Sequence, residues 1–181
     1  MNEELDVLKN ISKQLEDAKV FYMISGSMAA NYYTVPRMTR DIDVVLELVP
    51  GDIERIIQLL DKTFWIDSEM AVREAELRGM FNIIHKNYLI KVDCIVGKDS
   101  EFQKSAFKRR KQIKIEGQPV WLISPEDLIL AKLLWAQDSL SELQLNDVRH
   151  VLERKDLDRD YLNRWITKLD LASLYKKVSH E

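Results

Sequence analysis

The sequence predicts an α+β fold, a mixed sheet carrying helices and followed by a C-terminal helical bundle, and three observations carry that prediction. A short apolar run at residues 20–24 ends at Gly26-Ser27 and is followed by Asp41-Ile42-Asp43 opening the apolar run Val44-Val45-Leu46, which outlines strand, turn, helix and second strand. Two further apolar runs, at 79–84 and 88–96, flank His85-Lys86-Asn87 and outline a hairpin. Beyond residue 123 the apolar residues recur at helical spacing instead. The division expected is therefore a core over 1–123 and a helical subdomain over 124–181 packed on it.

Each element has its own signal. Leu5, Leu8, Ile11 and Leu15 make one stripe, so residues 2–18 form an amphipathic helix. Gly26 can take backbone angles closed to other residues, and Ser27 offers a hydroxyl and a helix N-cap, giving a short helix over 27–33 that stops before Val35-Pro36. The stripe Ile53, Ile56, Ile57, Leu60 predicts a helix over 50–62. A strand over 64–66 and a helix over 68–77 capped by Ser68 follow. Glu116-Gly117-Gln118 joins strands at 112–115 and 119–123. Ser124 caps the next helix, with Pro125 at its first position, and residues 128–135 are apolar nearly all round except for Lys132. Stripes through Leu145, Val148 and Val151, through Tyr161, Leu162 and Trp165, and through Leu171, Leu174 and Val178 close the chain.

Composition limits the function classes. With 46% hydrophobic and 31% charged residues, 181 residues suit an ordinary globular chain with a substantial core. A net charge of −3 argues against a surface that grips nucleic acid everywhere, though not against a local basic patch. Cys94 is the single cysteine, which excludes an internal disulfide and fits a reducing compartment; it reads as a small buried thiol. The acidic start, Met-Asn-Glu-Glu-Leu-Asp, lacks an apolar signal core, and no apolar run reaches the ~20 residues that span a bilayer, so a cytoplasmic protein is expected. His85 falls at a hairpin turn, where exposure is the default, and His150 and His180 have no ligand spacing.

The chemistry is concentrated in carboxylates. Side chains alternate along a strand, so Asp41 and Asp43 share one face, where they repel unless water or a cation lies between them. Hard oxygen ligands suit Mg²⁺, or Mn²⁺, which a site of one or two carboxylates shares with water and substrate phosphates. Asp93 interrupts an otherwise apolar strand, where an aspartate is costly unless paired or metal-bound. N–H groups at Gly26 and Ser27 would suit a phosphate. Arg37 and Arg40 could reach a triphosphate or could balance the neighbouring aspartates. Lys104, Lys108, Arg109, Arg110, Lys111 and Lys114 form a basic run that is either a patch for phosphate or RNA or a charged helix end and guarded edge strand.

Gly26-Ser27, Asp41-Ile42-Asp43 and Asp93 resemble, in order and spacing, the motif of the nucleotidyltransferase superfamily with the polymerase beta-like fold. Ser124-Pro125-Glu126-Asp127-Leu128-Ile129-Leu130-Ala131-Lys132 and Gln144-Leu145-Asn146-Asp147-Val148-Arg149 are similar to C-terminal motifs of its AbiEii-like branch, which includes toxins of toxin–antitoxin pairs. The resemblance implies transfer of a nucleoside monophosphate from an NTP to an acceptor hydroxyl on RNA such as tRNA, on protein or on a small molecule. Asp41, Asp43 and Asp93 would be catalytic and metal-binding, and Gly26, Ser27, Arg40 and Lys132 nucleotide-binding. Asp147 would orient Lys132, the alternative being an exposed helical charge. An antitoxin is a possible partner. Asp-x-Asp also opens haloacid dehalogenase phosphatases, but there Gly26-Ser27 has no explanation. A module that keeps the fold only to bind a nucleotide or a partner is the other class open.

Overall fold

The computed structural model describes residues 3–39, 41–49, 51–139 and 141–179. In chain order the elements are α1 (Glu3–Asp17), β1 (Phe21–Ile24), α2 (Gly26–Tyr33), β2 (Ile42–Glu47), α3 (Asp52–Leu60), β3 (Phe64–Ile66), α4 (Ser68–Leu77), β4 (Met80–His85) and β5 (Lys91–Val96). They continue as α5 (Glu101–Arg109), β6 (Lys111–Ile115), β7 (Gln118–Leu122), α6 (Pro125–Ser139), α7 (Glu142–Leu152), α8 (Arg159–Lys168) and α9 (Ala172–Ser179). The strands form one seven-stranded mixed sheet in the order β3-β4-β5-β2-β1-β7-β6. In it β2 lies antiparallel to β1 and parallel to β5, and the hairpins β4-β5 and β6-β7 extend the two sides.

Burial explains the pattern. Val7, Leu8, Ile11 and Leu15 turn the stripe of α1 inward, and α1 packs on β1, β7 and α3. The central strands β2 and β5 have neighbours on both sides, and Val44, Val92, Cys94 and Val96 are almost fully buried, as the apolar runs foretold. Helix α6 is the axis of the second half. Leu128, Ile129, Leu130, Leu133 and Ala136 have no exposed surface, and α6 touches α2, α7, α8 and α9. A helix surrounded in this way needs no polar face.

Several local expectations give way to better physical solutions. Asp67, not Ser68, caps α4 by accepting the Met70 N–H at 3.0 Å. The start predicted for α3 at Pro50 lies outside the described residues. The β4-β5 turn takes up residues 86–90, with Leu89 at φ 56°, so β5 begins at Lys91. His85 at this turn is buried: it stacks on Tyr88 at 5.0 Å and meets Phe64 edge-on at 5.1 Å. Burial lowers its pKa.

A polar knot joins the sheet to the closing helices. Ser124 Oγ accepts the Asp127 N–H at 3.2 Å and donates to Asp127 Oδ2 at 2.5 Å. Tyr161 OH on α8 donates to Asp127 Oδ1 at 2.6 Å, and Arg109 on α5 bonds Glu126 at 2.9 Å while its guanidinium lies 3.8 Å over the Tyr161 ring. Arg109 therefore leaves the basic run for the interior. Arg110 lies over the Trp121 ring at 4.6 Å, and Lys104 pairs with Asp99 at 2.5 Å. Lys108, Lys111 and Lys114 stay exposed.

Candidate active site

The bend after β1 and the start of β2 are built against each other. Gly26 sits at φ 57°, and a Cβ there would stand 1.8 Å from Asp43 Oδ2, so only glycine lets the chain and the carboxylate come together. The Ser25 N–H donates to the Asp43 carbonyl at 2.9 Å, and the Ser27 N–H lies near enough to the Asp43 carboxylate to favour its charged form. The N-terminal end of α2 thus faces a carboxylate of its own chain. Ser25, not Ser27, occupies the N-cap position. The Ser27 hydroxyl instead accepts from Arg37 Nη2 at 2.7 Å.

Parallel pairing of β2 with β5 sets Asp43 directly beside Asp93, with Ile42 beside Val92. Registered residues on neighbouring strands share a face, so Asp43 and Asp93 project to the same side of the sheet and Asp41, two residues earlier, follows them. Burial raises the pKa of Asp43, and the neighbouring charge of Asp93 adds to the rise. Asp93 is itself buried, and its Oδ1 has no hydrogen-bond partner. Asp41 lies at the rim with its side chain 56% exposed. Lys91 stands between them, its Nζ 3.0 Å from Asp93 Oδ2 and 3.7 Å from Asp41 Oδ1, and the bond to Asp93 holds its pKa above the ordinary lysine value. Among the described residues no three His, Cys, Asp or Glu side chains are close enough to enclose a metal ion. The acidic pair Asp43 and Asp93 and the outlying Asp41 share a face without closing on one point.

Close to Asp43, a second cluster links the loop after α2 to the helices. Lys132 on α6 is buried and donates to Asp147 Oδ2 at 2.8 Å and to Gln144 Oε1 at 2.7 Å. Arg37 grips the same Asp147 with both edges of its fork, Nε to Oδ1 at 3.0 Å and Nη2 to Oδ2 at 2.9 Å. Asn31 fixes the Arg37 backbone from both sides, at 2.7 and 3.0 Å. Burial alone would raise the pKa of Asp147, but the bonds from Arg37 and Lys132 outweigh it and the pKa is lowered. Burial lowers the pKa of Lys132 despite Asp147 and the more distant charge of Asp43. The chain Ser27–Arg37–Asp147–Lys132 therefore runs from the Gly-Ser bend to the bundle, and Asp147 is a buried anchor, not an exposed helical charge.

Arg40 lies outside the described residues. Sequence reasoning gave Lys91 no role and named Arg40, not Arg37, for the nucleotide. The signal for Lys91 was available: it lies two residues before Asp93, hence on the same face. For Arg37 there was none, because its partner is far along the chain. A cavity of about 910 Å³, lined by Leu8, Ile24, Met28 and Leu122 among others, takes in none of the three aspartates. Ile24 pairs with Val44 and Leu122, so it points to the sheet face opposite Asp43.

Comparison with known proteins places the fold. The solved structure of the antibiotic-resistance factor ANT(2'')-Ia is similar over 100% of both chains, with a TM-score of 0.63 and 16% identity. An antigenic nucleotidyltransferase-like protein from Paracoccidioides brasiliensis matches with a TM-score of 0.58 and 18% identity, over 99% of this chain and 98% of that one. The lincosamide antibiotic adenylyltransferase LnuA, solved with lincomycin bound, matches with a TM-score of 0.55 and 15% identity, over 83% of this chain and 96% of that one. At such identities the likeness is one of fold. A search of curated protein sequences finds no match. The model of one family fits nearly the whole chain, residues 2–179, and the chain belongs to it: the family described as nucleotidyltransferase of unknown function (DUF6036).

Proposed function

We propose that this nucleotidyltransferase moves a nucleoside monophosphate from an NTP to an acceptor hydroxyl, in a reaction that depends on Mg²⁺ or Mn²⁺. The observation that carries the reading is Asp93 set in register with Asp43, with its buried Oδ1 left without a partner beside the glycine bend. A buried carboxylate oxygen without a donor is costly, and hard oxygen donors on one face fit a hard divalent cation. Asp43 and Asp93 would hold it, with Asp41 joining from the rim. A bound divalent ion neutralises phosphate charge and favours ionisation of the attacking hydroxyl.

The chain's own groups do the rest. The Gly26 bend lets the Asp43 carboxylate come against the backbone, which holds it in place. Arg37 and Lys132 would supply positive charge toward a triphosphate tail, and Asp147 keeps both cations in place. The acceptor oxygen attacks the α-phosphorus, the bond to the pyrophosphate oxygen breaks, and the hydroxyl proton passes to the carboxylate of Asp93. Residues 1–123 would form the core that carries the carboxylates and 124–181 the helical wall that carries Lys132. NTP supply favours a cytoplasmic setting.

The acceptor is a hydroxyl on RNA, protein or a small molecule. The exposed Lys108, Lys111 and Lys114 support RNA, and a tRNA acceptor would fit a toxin restrained by an antitoxin. One observation favours a non-reacting nucleotide-binding or partner-binding module: the Lys91 ammonium lies among the carboxylates. Incubation with each α-labelled NTP and Mg²⁺, in the presence of cell RNA, protein and small-molecule fractions, decides between them. Label carried into one fraction, with pyrophosphate released, supports the transferase; bound nucleotide that is never consumed supports the module.

A further inference from the structure

The place of Lys91 goes further than a balancing charge. The β2–β5 ladder begins at Ile42 and Val92, so Lys91 and Asp41 lie next to each other at its edge, two residues before Asp93 and Asp43. Its ammonium thus sits on the carboxylate face and reaches Asp93 Oδ2 and Asp41 Oδ1 at 3.0 and 3.7 Å. It satisfies one oxygen of Asp93 and leaves Oδ1 bare. Its stem is 40% exposed, so the amine can leave into solvent without unpacking the core.

We propose that Lys91 is a tethered stand-in for the divalent cation, a positioning residue that makes metal binding wait for nucleotide. This rests on the carboxylate reading given above. With no divalent ion present, the ammonium neutralises Asp41 and Asp93. A divalent ion must displace it, so the apparent Kd for metal alone is the intrinsic Kd divided by the fraction of time the lysine is out of the site. A polyphosphate reverses the balance, because it brings further oxygen ligands for the ion and gives the displaced ammonium a new partner. Free metal at low concentration is then ignored, while metal arriving with a triphosphate is taken.

The test is Mn²⁺ titration, read from the paramagnetic resonance of free Mn²⁺, with and without inorganic tripolyphosphate, which carries the phosphate chain without a base. Lys91→Met and Lys91→Gln, each checked by circular dichroism, bind Mn²⁺ alone about three- to tenfold more tightly than the parent, as fits the loss of partly exposed ion pairs. Tripolyphosphate then tightens binding less in these variants than in the parent, and Lys91→Arg behaves as the parent does. Mn²⁺ bound equally or more weakly by Met and Gln variants that are folded overturns the role of Lys91 and leaves the carboxylate site intact. No Mn²⁺ bound by any of the proteins, with or without tripolyphosphate, overturns both.

Discussion

Replacing Asp147 with Asn keeps the shape of the side chain and removes the charge that two cations share. The Lys132–Asp147 pair is buried on both sides, with side chains 4% and 5% exposed, whereas Arg37 is 31% exposed. Solvent therefore softens the loss at Arg37, and most of the cost falls on Lys132. Breaking a buried pair by removing one partner costs about 3–5 kcal/mol. Lys132 already has a depressed pKa and can shed its proton, which points to the lower end, about 3 kcal/mol. For a chain of this length that is a fall in Tm of roughly 6–12 °C. Lys132→Met leaves Asp147 gripped by Arg37 and costs less, about 1–2 kcal/mol.

The pH dependence has a definite sign. The folded pKa of Asp147 lies below its unfolded value, so its contribution is fully present above the unfolded value and is lost as pH falls through the folded one. Asp147→Asn removes that acid loss, and the parent and variant curves converge at low pH. Urea melts followed by circular dichroism at several pH values measure both effects. An Asp147→Asn protein within about 0.5 kcal/mol of the parent at pH 7 would refute the view that this carboxylate anchors the loop to α6.

Gly26→Ala forces a Cβ into the Asp43 carboxylate and an L-residue into the left-handed region, so transfer from labelled NTP falls by more than about tenfold and Tm drops by several degrees; retained activity would mean that the two groups need not touch. Asp43→Ala abolishes label transfer while circular dichroism still shows a folded protein, and unchanged transfer would refute its metal role. Chelation by EDTA stops transfer, and added Mg²⁺ restores it. Tyr161→Phe leaves the buried Asp127 Oδ1 without its donor and costs about 1–3 kcal/mol in urea melts, with transfer unaffected at a temperature where both proteins are folded.

The sheet was legible because its signals are local. An apolar run ended by Gly26-Ser27, an Asp-x-Asp opening a second run, and an aspartate inside a third need only alternation along a strand to be read. Register was not legible. That Asp43 lies beside Asp93, and not one pair away, comes from long-range strand pairing that no short window carries. The partners of buried charges were equally hidden. Arg37 and Asp147 meet across 110 positions, and Arg109 turns inward only because Glu126, Asp127 and Tyr161 gather beneath it. A run of basic residues looks the same in sequence whether it faces solvent or a buried carboxylate. The turn at His85 was misread for a related reason: aromatic neighbours from β3 and the turn itself cover a ring that local rules leave in water.

The most direct test of the account is a crystal structure grown with Mn²⁺ and a non-hydrolysable NTP analogue, with the ion located by its anomalous scattering. An anomalous peak bonded to carboxylate oxygens of both Asp43 and Asp93 and to the phosphate chain is expected, with the Lys91 amine moved away from Asp93. A nucleotide bound with no ion at those carboxylates, or an ion held elsewhere while Lys91 keeps its bond to Asp93, would contradict it.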